Sequence, residues 1–138
     1  MQAIQLGPSP YAALGTPAIE ALVTRFYDVM EAQEPALARL HASDATPHDG
    51  RVSAGSRERF ALFLVGWLGG PQTYTERHGH PRLRMRHGHV PVDLAMRDAW
   101  LRCMAVAMDG DPRFVGPLRD YLDGRFAEVA DFMRNVRE

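Results

Sequence analysis

The apolar positions fall into four stretches with helical spacing, separated by breaks that carry proline, glycine or both. Ile19, Leu22, Val23, Phe26 and Met30 recur at steps of three and four, with Tyr27 beside them. Thr16 is placed to cap this stretch and Pro17 to occupy its first turn, so the pattern predicts a helix over Pro17 to Glu31. Pro35 to His41 reads as a short helical turn. Ala42 to Ser53 reads as a loop, because Ser, Asp, Thr, Pro, His and Gly follow in quick succession. A second long helix starts near Ser53 or Ser56, with Ser56, Phe60, Phe63, Leu64 and Trp67 on one face and Arg57, Glu58 and Arg59 on the other. Gly69, Gly70 and Pro71 stop it.

Beyond that break the pattern predicts a short turn at Thr73 to Arg77 and a helical segment after Pro81. Leu83 and His87 lie four apart on that segment. Asp93 is an N-cap for a third long helix to about Met108, whose stripe is Met96, Trp100, Cys103, Met104, Ala107 and Met108. Asp109-Gly110-Asp111-Pro112 breaks the chain again. A last helix, with Pro117 in its first turn, reaches Val136 and turns Leu118, Tyr121, Leu122, Phe126, Val129, Phe132, Met133 and Val136 inward. No stretch sustains period-two alternation, so the expected fold is all-α, with four main helices in one domain. Residues 1–15, with Gly7, Pro8, Ser9, Pro10 and Gly15, read as an irregular N-terminal arm before a domain over 16–138.

Composition narrows the function classes. A chain of 138 residues suits one domain that buries roughly two thirds of the surface its unfolded form exposes, enough for a core without staples. A net charge of −1 supplies no field toward nucleic acid or an anionic membrane, so neither is an expected partner. No apolar run is long enough to span a membrane, and the N-terminus lacks the basic start and apolar stretch of a secretion signal. Cys103 is the single cysteine, so no internal disulfide forms. A reducing, cytoplasmic setting is the expectation.

Helices with aromatic stripes and a well-placed histidine suit haem. The iron needs a neutral imidazole on one side and a hydrogen-bond donor for a bound ligand on the other. The porphyrin needs an apolar slot, and its propionates need cations or hydroxyls at the mouth. His87 is the candidate ligand and Tyr27 with Trp100 the candidate donors. Phe26, Phe63 and Leu83 are candidates for the slot, and Arg86 with Tyr74 for the propionates. Two other readings compete. His78, His80, His87 and His89 form two His-x-His pairs that could hold zinc, copper or iron, but such pairs point the same way on a strand, and these flanks read as turn and helix. A helical interaction module without cofactor would leave the same residues as packing and surface.

FYDVM at Phe26 to Met30, FLVGWLGGPQTYTERHGHPRLRMRH at Phe63 to His87 and RDAWLRCM at Arg97 to Met104 resemble the truncated haemoglobins of the second group, within the globin superfamily. The resemblance covers about Pro17 to Asn135. It implies a truncated globin fold, a two-over-two helical sandwich around haem b, with iron five-coordinate. His87 matches the proximal ligand, Trp100 the distal tryptophan and Tyr27 the distal tyrosine. His41 falls where the family closes the pocket, Ser56 at the distal gate and Phe60 one turn inward. Gly88-His89-Val90 departs from the family's usual run after the proximal histidine. The resemblance implies oxygen and other diatomic ligands as partners. Two or three converging donors would slow oxygen release by about a hundredfold. It also leaves open a redox role, nitric oxide dioxygenation or peroxidase chemistry with a separate electron donor, and a homodimer.

Overall fold

Among residues 9–41, 52–79 and 93–133, which the computed structural model describes, all regular structure is helical. The first helix, α1 (Pro10–Gln33), begins earlier than the Thr16-Pro17 pair predicts. Ser9 is its cap, with Oγ accepting from the Ala12 N–H at 3.1 Å, and Pro10 sits in the first turn. Gly15 takes φ 82° and ψ 166°, a kink between two helical stretches that also leaves Pro17 in a first turn where its missing N–H is tolerated. The described end of the expected irregular arm is therefore ordered. Leu14 is buried, and the Tyr11 N–H donates to the Leu68 carbonyl at 2.9 Å.

That docking depends on the glycine pair after the second long helix. Gly69 has φ 106°, and a Cβ there would lie 2.5 Å from Ser9 Cβ. A Cβ on Gly70 would lie 2.6 Å from the Tyr11 ring. The Gly-Gly break thus ends a helix and also makes room for the start of the chain.

Helix α2 (Pro35–His41) follows Glu34 directly. Helix α3 (Ala54–Trp67) is capped by Ser53, whose Oγ accepts from the Ser56 N–H at 3.1 Å. Helix α4 (Thr73–His78) occupies the predicted turn after Pro71. The predicted helical segment after Pro81 lies outside the described residues. Asp93 caps α5 (Leu94–Asp109), with Oδ1 accepting from the Met96 N–H at 2.8 Å. Helix α6 (Gly116–Phe132) carries Pro117 in its first turn.

The centre of the core is α1, which packs most extensively on α5 and then on α3, while α6 covers α5. Ile19, Leu22, Val23, Phe26 and Met30 of α1 meet Trp100, Cys103, Met104 and Met108 of α5 in one cluster. Two features depart from the sequence pattern. Phe132, expected inward, is 56% exposed, because the four-residue step from buried Phe126 brings Ala130 inward and turns Phe132 away. Phe114, from the turn between α5 and α6, is fully buried. That turn is held by nearly buried Asp111, which accepts from the Arg113 N–H at 2.9 Å and its Nη2 at 2.7 Å.

Candidate functional site

Three helices bring together aromatic rings that are far apart in sequence. Phe26 and Tyr27 are consecutive on α1, and both are buried. Their ring centroids lie 5.0 Å apart. The ring of Trp100 on α5 meets Phe26 edge-on at 5.2 Å, and Phe60 on α3 lies 5.5 Å from Phe26 and 5.8 Å from Tyr27. Aromatic pairs at such separations add to the burial of the rings themselves.

The cluster extends along α3 because Phe60, Phe63 and Trp67 repeat at helical spacing. Phe60 and Phe63 are stacked at 6.4 Å, and Phe63 and Trp67 at 6.2 Å. Trp67 meets Phe126 of α6 at 5.5 Å, and Phe126 meets Trp100 at 5.9 Å. The six rings Phe26, Trp100, Phe126, Trp67, Phe63 and Phe60 close a circuit across α1, α3, α5 and α6. Tyr74 of α4 adds an edge contact to Phe63 at 5.9 Å.

Tyr27 and Trp100, like Trp67 and Tyr74, bring polar tips to this wall, and of the four rings Tyr27 is the most deeply placed among the other aromatics of α1 and α3. Burial holds the Tyr27 phenol well above its ordinary pKa, against the opposing pull of Arg57 and Arg59. The phenol therefore stays protonated at neutral pH and remains a donor. Ser56 lies one turn before Phe60 and works in the α3 cap, where its hydroxyl accepts from Ser53 Oγ at 3.1 Å and Arg59 Nη2 at 3.3 Å. The structure therefore brings Phe26, Tyr27, Phe60, Phe63, Tyr74 and Trp100 into one aromatic assembly, while Ser56 stands in the α3 cap one turn before Phe60. His41 is the last residue of α2, but its side chain, like Leu83, Arg86 and His87, lies outside the described residues. His78 closes α4 with its ring 5.0 Å from Tyr74, while His80 and His89 also lie outside them. Among the described residues no three His, Cys, Asp or Glu side chains form a metal-binding group.

The wall fits a flat apolar cofactor. Phe60, Phe63, Trp67 and Met96 pack on the core yet stay only half-buried, a row of large apolar surface still open to a partner. A cleft of about 500 Å³ opens on the opposite side of α3, where Thr16, Glu20 and Thr24 of α1 face Glu58, Ala61 and Val65. It does not include the aromatic wall.

One residue escapes the sequence pattern. Arg57 sits on the charged face of α3, where the pattern predicts solvent, yet its side chain is only 22% exposed. Its guanidinium binds Glu31 Oε2 at 2.9 Å and Asp28 Oδ1 at 3.1 Å, and lies 5.6 Å from the centre of the Tyr27 ring. The pairing joins positions too distant in sequence for any local spacing rule to find. The only local hint is that Asp28 directly follows Tyr27 and Glu31 lies four positions beyond it on the same helix.

The family model described as bacterial-like globin matches residues 9–134. The chain is 38% identical over 130 residues to the group 2 truncated haemoglobin YjbI of Bacillus subtilis strain 168, covering 94% of this chain and 91% of that protein. The crystal structure of the truncated oxygen-avid haemoglobin from Bacillus subtilis superposes with a TM-score of 0.78 at 38% identity, covering 92% of this chain and 99% of that one. The group II truncated haemoglobin of Bacillus anthracis superposes with a TM-score of 0.77 at 34% identity, covering 96% of this chain and 100% of that one.

Proposed function

This chain belongs to the bacterial-like globin family, among its group II truncated haemoglobins, and on that premise we propose that it holds haem b on His87 and retains oxygen through donors on Tyr27 and Trp100. Membership implies haem-based binding of a small ligand. Haem, when bound, supplies an iron with one coordination position for a diatomic molecule. The chain's residues do the rest. The His87 imidazole would hold the iron from one side, and Arg86 would meet a propionate. Phe26, Phe60, Phe63 and Leu83 would line the slot and exclude water, with Tyr74 at its margin.

The observation that carries this reading is the pairing of Tyr27 and Trp100 around Phe26, both buried, at 5.0 and 5.2 Å from its ring. Tyr27 donates O–H and Trp100 donates N–H. Each donor to a partly charged acceptor contributes about 1.5–3 kcal/mol, so the pair slows release by a hundredfold or more at an order-of-magnitude level. The similar truncated haemoglobin of Bacillus subtilis is oxygen-avid, which supports a slow-release pocket. A protein that releases oxygen this slowly suits sensing, scavenging or redox chemistry better than delivery. His41, closing α2, is the third proposed donor.

The test is the absorption spectrum of the purified chain with haem quantified per polypeptide. One haem per chain, a Soret band, and loss of ligation in His87→Ala support the reading. A folded, colourless chain that refuses added haemin would overturn it.

A further inference from the structure

Arg57 does more than pair with a surface acid. Nη2 meets Glu31 Oε2 at 2.9 Å, while Nη1 meets Asp28 Oδ1 at 3.1 Å and donates to the Thr24 carbonyl at 3.3 Å. Nε donates to the Val52 carbonyl at 3.2 Å. The same Glu31 Oε2 accepts from the Val52 N–H at 2.6 Å. Arg57 and Glu31 therefore grip both polar groups of buried Val52, just before the Ser53 cap of α3. Thr24, Asp28 and Glu31 form one ridge of α1, and Tyr27 stands beside it with its ring under the guanidinium. One side chain thus ties the start of α3, with Ser56 and Phe60, to the turn of α1 that carries Tyr27.

We propose that Arg57, anchored by Glu31, is a positioning residue for Tyr27: it fixes the Tyr27 ring relative to the first turns of α3 and thereby sets how firmly a diatomic ligand is retained. This rests on the role of Tyr27 as donor proposed above. The planar fork is essential to it. Two amino groups and Nε reach four different partners in fixed geometry, which an ammonium cannot reproduce. The cation beside the ring also acts on the phenol, because a nearby positive charge favours release of the O–H proton and so strengthens the donor.

The test uses the haem-loaded chain as wild type, Tyr27→Phe, Arg57→Met, Arg57→Lys, Glu31→Gln and the double variant Tyr27→Phe/Arg57→Met. Two quantities are read: the oxygen dissociation rate, and the stretching frequency of bound carbon monoxide, which reports the field of the donors and does not follow global stability. Arg57→Met is expected to speed release by about tenfold, corresponding to one hydrogen bond made poorly. It should also shift the carbon monoxide band in the direction Tyr27→Phe shifts it. Arg57→Lys restores the charge without the fork and recovers only part of both effects. Glu31→Gln moves both readouts the same way, less far, and serves in place of Arg57→Met if that variant does not fold. In the double variant the Arg57 change adds nothing, since its effect acts through the phenol. Arg57→Met and Glu31→Gln that lower the melting temperature yet leave both readouts at wild-type values would show a stability role alone and overturn the proposal. Full additivity in the double variant would overturn it as well. If Tyr27→Phe itself moves neither readout, the donor role of Tyr27 falls first and takes this inference with it.

Discussion

A buried phenol whose pKa is pushed up stays protonated, so Tyr27 contributes an O–H to its surroundings throughout the neutral range. Trp100 offers an N–H and can accept nothing. Each is therefore expected to retain oxygen by donation, and Tyr27→Phe and Trp100→Phe should each raise the oxygen dissociation rate by about tenfold or more in stopped-flow replacement measurements. Phenylalanine keeps most of the ring packing on Phe26, so a rate change reports the polar tip. If neither variant changes the rate, these residues are packing aromatics only. Cys103 has no such part. It is buried, and burial with the Glu34 charge pushes its thiol up to about 11, leaving a small inert side chain.

At the scale of the elements, two junctions govern how the helices meet. Gly69 combines a positive φ with a close approach to Ser9, so Gly69→Ala strains the backbone and displaces the capped start of α1 together. The expected cost is about 1–3 kcal/mol, read as a lower urea midpoint with the m-value unchanged. The other junction is the α5–α6 turn. Arg113 holds the Asp111 carboxyl at about 2, below its usual carboxylate range. The folded form therefore binds a proton less readily than the unfolded form. The stabilisation is present above about pH 4 and is lost as pH falls from there toward 2. Asp111→Asn should be less stable than wild type at neutral pH, and the gap should narrow across that acid window in denaturant titrations. A gap independent of pH would show that the carboxylate charge plays no part.

The whole molecule is a two-on-two helical sandwich of the truncated globin kind, with α1 as the element that α3 and α5 share. Its aromatic circuit leaves Phe60, Phe63 and Trp67 half-buried, an apolar wall that gains from cover. Binding haemin to the folded form should therefore stabilise the chain by mass action, by about 4 kcal/mol when free haemin is a thousandfold above its dissociation constant. Calorimetry with and without haemin checks this, and equal melting temperatures would mean that haemin does not bind the folded chain. Among the described residues no helix is long and apolar enough to cross a membrane.

Much of this was legible along the chain because helices are local. Apolar steps of three and four place the cores of α1, α3, α5 and α6, Asp93 marks a cap that the structure uses, and of the two starts the pattern offers for α3 the structure uses Ser53. The runs around Phe26, Phe63 and Trp100 are specific enough to indicate the family from the sequence alone. Other features were decided only by tertiary packing. The short helical start of α1 is stabilised by contacts with Leu68 and the Gly69-Gly70 turn, which lie more than fifty positions later in the chain. Phe132 is turned out because Ala130 takes the inward position. Arg57 looked like a solvent charge because helical periodicity assigns a face but cannot say what stands opposite it. Only the approach of α3 to α1 brings Asp28, Glu31 and the Tyr27 ring within reach of its guanidinium. Periodicity is written by neighbours three and four residues apart, whereas partnership between charges depends on the distance between helices, which the sequence encodes only through the fold as a whole.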